Sequence, residues 1–67
     1  MLKVEKVFIH DNRIIVFKAE EISATEIKVY ADNYEPRIYK LDRYYQYLQP
    51  TDLLNCIIKY YNTLRIT

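Results

Sequence analysis

Apolar residues are spaced in two ways along this chain. From Val4 to Leu41 they tend to alternate with polar residues, and beyond Leu41 they recur every third or fourth position. Val4–Ile9 and Ile14–Phe17 are rich in β-branched and aromatic residues, so both predict strands. Asp11 and Asn12 lie between them and can supply the left-handed pair of a two-residue hairpin turn. That turn fixes a register. Ile9 faces Ile14, Val7 faces Val16 and Glu5 faces Lys18 on one side. His10/Arg13, Phe8/Ile15, Lys6/Phe17 and Val4/Ala19 pair on the other. Both sides of this hairpin are partly apolar, whereas a sheet with one wet face alternates cleanly. Something must cover Phe8, Ile15 and Phe17: a barrel closing on itself, a helix or a second subunit.

Glu20–Ala24 reads as a turn rather than a short helix, because Thr25–Ala31 alternates again. Thr25, Ile27, Val29 and Ala31 are expected to face in; Glu26, Lys28 and Tyr30 are expected to face out. Asp32–Pro36 is a loop, since Asp and Asn bond their own backbone and Pro36 cannot donate to a ladder. Arg37–Leu41 is a fourth strand. Leu41, Tyr44, Tyr45 and Leu48 then recur at helical spacing, with Asp42 as N-cap, and predict a two-turn helix ending near Pro50. Thr51 is the expected cap of a second helix, with Asp52 in its first turn. Leu53, Leu54, Ile57, Ile58, Tyr61 and Leu64 form its apolar stripe, opposite Asn55, Lys59 and Asn62. The expected fold is a single α+β domain over residues 1–67. It has a small antiparallel sheet of three to four strands, open or closed as an SH3-like barrel, then a short helix and a C-terminal amphipathic helix.

Composition narrows the function. Sixty-seven residues allow one small core, and cores of this size are often helped by disulfides, metals or association. One cysteine, Cys56, makes no internal disulfide, and one histidine, His10, makes no zinc cluster. Self-association or docking on a partner is the remaining staple. The net charge of +1 disfavours both an acidic DNA mimic and a strongly basic nucleic-acid binder. No window approaches the roughly 18 apolar residues of a membrane span, and the N-terminus lacks an apolar signal region. A cytoplasmic protein without membrane contact is expected. Frequent Ile, Lys, Tyr and Asn with scarce Ala point to an AT-rich genome, such as that of a low-GC bacterium or a virus.

Catalytic signatures are missing. His10 and Asp11 are expected to point to opposite faces of a strand, so they do not form a base with its orienter. Cys56 has no neighbouring histidine and reads as a half-buried filler. Glu20 and Glu21 are loop neighbours, not carboxylates facing across a cleft. The absence of glycine excludes phosphate-binding loops and dinucleotide fingerprints. These readings predict no enzyme, no cofactor and no metal.

What remains is tyrosine. All eight lie between Tyr30 and Tyr61. Tyrosine offers a large, stiff, amphipathic surface with two χ angles to freeze, which suits recognition. Tyr44, Tyr45 and Tyr61 belong with the core, and Tyr39 fits either role. Tyr30, Tyr34, Tyr47 and Tyr60 are the expected exposed contacts, with Arg37 and Arg43 beside them. The competing reading is that these rings simply cover the outside of a thin core.

Ile27-Lys28-Val29-Tyr30 followed by Pro36-Arg37-Ile38-Tyr39-Lys40-Leu41-Asp42-Arg43-Tyr44 resembles part of the WYL regulatory domains, small SH3-like β-barrels. The Trp of the family's tripeptide is missing here, and Lys40 stands in place of an arginine. The resemblance implies a nucleotide or nucleic-acid ligand, with Arg37 and Arg43 as its contacts. Two functions follow. The first is a non-enzymatic interaction protein that binds a protein partner through a tyrosine-rich surface, such as a phage or mobile-element inhibitor of a host machine. The second is a small nucleic-acid- or nucleotide-binding regulator, in which the same tyrosines stack bases. An obligate homodimer whose exposed hairpin face is its own interface is a third.

Overall fold

The computed structural model describes residues 1–42 and 47–64. Four strands, β1 (Lys3–His10), β2 (Arg13–Ser23), β3 (Glu26–Ala31) and β4 (Arg37–Lys40), form one antiparallel sheet in sequential order. One helix, α1 (Pro50–Leu64), follows and packs against β1, β2 and β3. The fold is α+β, but the sheet is open and does not close into an SH3-like barrel. The helix supplies the cover that the hairpin needs.

The hairpin register is the one expected from the sequence, from Val4 opposite Ala19 to His10 opposite Arg13. Asp11 and Asn12 both take positive φ, 51° and 64°. In a chain without glycine, left-handed positions fall to Asp and Asn, whose short polar side chains tolerate them best. Asn33 repeats this in the β3–β4 loop with φ 68°, where the Tyr34 N–H donates to the Ala31 carbonyl at 3.3 Å.

Three local expectations are corrected. Glu20–Ser23 is strand, not turn. Glu21 lies opposite Ile27, and its carboxylate and amide bind the Leu2 amide and carbonyl, each at 2.9 Å. A bulge between Glu21 and Ser23 then leads into a turn at Ala24 and Thr25, so Thr25 is not an inward strand residue. The second helix begins at Pro50, so Thr51, expected as its cap, lies inside the first turn and Gln49 takes the cap position. Asp52 reaches back to accept the Gln49 amide at 2.8 Å, the reciprocal half of a capping box. The helix expected over Leu41–Leu48 falls largely on residues 43–46, outside the described residues; Leu41, Asp42, Tyr47 and Leu48 are not helical.

The core lies between the sheet and α1. Phe17, Ala19, Ile27, Val29 and Ala31 bury from the sheet, and Leu53, Cys56, Ile57 and Tyr60 from the helix. Phe17 is the hub, edge-on to Phe8 at 5.1 Å, Tyr60 at 5.6 Å and Tyr61 at 5.7 Å. Phe8 stacks on Tyr61 at 4.0 Å. The buried face of α1 is therefore turned from the expected stripe toward Cys56 and Tyr60. Ile58, counted in that stripe, is exposed.

Candidate functional site

β2 is longer than its neighbour β3. The last β2–β3 pair is Phe17 with Ala31, while β2 continues to Arg13 with only β1 beside it among the described residues. At about 3.3 Å per residue the hairpin runs well past the end of β3. The molecule is elongated, 41 Å long against 17 and 16 Å. A step results where β3 stops and the β3–β4 loop turns away.

Two clefts meet at this step. One is lined by Arg13, Ile14, Ile15, Val16, Asp32, Asn33 and Tyr34. The other is lined by Glu5, Val16, Lys18, Tyr30, Ala31 and Asp32. Val16 and Asp32 form the wall they share. At about 360 and 320 Å³, they are at the small end of small-molecule sites, roughly 300–1,000 Å³. Both are open to one side.

The structure treats the six expected contact residues differently. Tyr30 and Tyr34 are half-buried and border the two adjoining clefts. Lys28 places its Nζ 5.4 Å from the Tyr30 ring centre, which holds that ring against the outer sheet face. Tyr47 is 90% exposed but lines neither cleft. Arg37 is exposed opposite Val29, on the helix side of the sheet, away from Tyr30. Arg43 lies outside the described residues. Tyr60 is the correction: it is 2% exposed, and its hydroxyl donates a short hydrogen bond to the Glu35 carbonyl. Burial holds its phenol above the ordinary range; Tyr39, Glu35 and Tyr34 add to the rise, and Arg37 opposes it. Tyr60 belongs to the core and cannot touch a partner.

Sequence reasoning missed Ile14 and Val16, which looked like ordinary strand residues. The signal was present: the strand reaching Ile14 has no counterpart after Ala31, where Asp32-Asn33 begins a loop.

Possible chemical centres resolve as follows. His10 Nε2 lies 3.4 Å from the Asp11 carboxylate. The turn, not a strand, carries Asp11, so its side chain is not sent to the opposite face as expected. Cys56 is buried rather than half-buried, and burial raises its thiol pKa; Asp52 adds to this and Lys59 opposes it. A thiol shifted that way is a poor nucleophile. Among the described residues no group of three or more His, Cys, Asp or Glu could hold a metal ion, and no helix is long and apolar enough to cross a membrane. No family model, curated protein or solved structure matches this chain.

Proposed function

We propose that this chain is a non-enzymatic interaction protein that binds a protein partner at the tyrosine-lined step between β2 and the β3–β4 loop. The observation that carries this reading is the pair of adjoining clefts bordered by Tyr30 and Tyr34, with Val16 and Asp32 between them. Half-buried tyrosines beside the exposed Ile14 and half-buried Val16 offer large contact area at small entropic cost. The mixed charge of the walls, with Glu5 and Asp32 beside Lys18 and Arg13, favours a protein over a nucleic acid, whose phosphates need clustered cations. A regulator or inhibitor of a larger machine fits such an object.

Site-specific cross-linking tests it. A photoreactive phenylalanine at Tyr34, expressed in the source cell, is expected to capture one discrete partner. The same group at Ile58, exposed on α1, is expected to capture none. Capture from Ile58 alone would move the binding surface to the helix and reject the step.

A further inference from the structure

Among the described residues, nothing covers the sheet face opposite α1. Of the large hydrophobic residues that are exposed, Val7, Ile9, Ile14, Ile22 and Ile38 all come from the strands at positions that alternate with the core residues. Ile9 and Ile14 are the extreme pair, 74% and 70% exposed and directly opposite one another. A solvated sheet face is normally polar. This one is divided along the hairpin: Val7, Ile9, Ile14 and Val16 occupy the distal end, and Lys3, Glu5, Lys18 and Glu20 the proximal end.

From this division we infer that the outer hairpin face is a homodimer interface, stacked on a second copy about a two-fold axis that runs along the strands midway between β1 and β2. Such an axis lays β1 of one copy over β2 of the other without shifting them lengthwise. Each cross-strand pair then meets its own partner type across the interface. Val7 lies over the second copy's Val16, and Ile9 over its Ile14. Glu5 lies over Lys18, and Lys3 over Glu20. Apolar meets apolar and each charge meets its opposite, which is what an isologous interface requires. Lys3 and Glu20 already pair within one copy at 3.9 Å, so the charges are set in alternation before association.

The size of the patch sets the strength. A ribbon two strands wide, with strands about 4.8 Å apart and about 3.3 Å per residue, presents only a few hundred Å². Standard interfaces bury about 800 Å² per partner, so this dimer belongs to the small, reversible class. The stacked sheets lie about 10 Å apart with their strands roughly aligned, and the contact takes in Ile14, Val16, Glu5 and Lys18 from the walls of the two clefts. The inference does not depend on the partner-binding reading, because it concerns the purified chain alone.

Sedimentation velocity over a concentration series tests it. The wild-type mass is expected to rise from 8.2 kDa toward twice that value. Ile9→Thr with Ile14→Thr keeps strand propensity and touches only exposed side chains, and it is expected to stay monomeric. Glu5→Lys alone sets like charges against Lys18 and is expected to weaken association by about tenfold. Adding Lys18→Glu restores the pairing and is expected to restore the dimer. A wild-type chain that stays at 8.2 kDa up to about 1 mM overturns the inference. So does a dimer indifferent to both the threonine and the charge variants, which would place the interface elsewhere.

Discussion

Tyr39 and Tyr60 both face the helix side of the sheet, yet their hydroxyls meet opposite fates. Tyr60 donates to the Glu35 carbonyl, whereas the Tyr39 hydroxyl is buried with no hydrogen-bond partner among the described residues. A made bond contributes roughly 0.5–1.5 kcal/mol, and an unmade buried one costs about 1–3 kcal/mol. Tyr60→Phe is therefore expected to lose about 1 kcal/mol, and Tyr39→Phe to be neutral or stabilising. Denaturant midpoints at constant slope read both changes; equal losses would contradict the assignment. The same burial gives a pH dependence. The Tyr60 phenol and the Cys56 thiol both hold their protons more tightly in the fold than in the unfolded chain. Above their ordinary values, near 10 and 9, the unfolded chain has released protons that the fold still binds. Unfolding is then favoured as pH rises. Their contribution is complete below about pH 8 and falls through the alkaline range. A melting-temperature profile from pH 7 to 11 or so should show that decline, reduced in Tyr60→Phe with Cys56→Ala. A profile identical in the variant would show that other groups govern it.

Among the elements, α1 depends most on one junction. Asp52, at its third position, accepts the Gln49 amide and places a negative charge in the first turn. Asp52→Ala is expected to cost about 1 kcal/mol, and Asp52→Asn less, because the amide oxygen still accepts. Thermal melts of the two variants separate the hydrogen bond from the charge; equal losses would assign the whole effect to charge. The hairpin was legible residue by residue, because Asp11-Asn12 fixes the turn and most facing pairs match, apolar with apolar and Glu5 with Lys18. The end of β2 was not, because Glu21 is held in the sheet by Leu2, nineteen positions away. The phase of α1 was misjudged for a similar reason. The partner of Tyr60 is the Glu35 carbonyl, twenty-five residues earlier, and no helical period reveals it. Tyr30 and Tyr34 were expected to be exposed contacts and are half-buried at the step, which arises from unequal strand lengths that only pairing discloses.

At the scale of the whole molecule, among the described residues one helix covers one face of a four-stranded sheet and the other face carries exposed aliphatics. Phe17 and its neighbours complete the core on the covered side, so the exposed aliphatics are not needed for folding within one chain. They are free to meet a second copy along the hairpin; because Ile14, Val16, Glu5 and Lys18 also line the two clefts, that copy and the partner proposed for the step would compete for this face. The central claim is that Tyr30 and Tyr34 carry that recognition. It is tested most directly by calorimetric titration of the purified partner against wild type, Tyr30→Ala and Tyr34→Ala, each checked for an unchanged melt. The account predicts that at least one variant binds ten or more times weaker, about 1.4 kcal/mol. Both variants remaining within about twofold of wild type would contradict it.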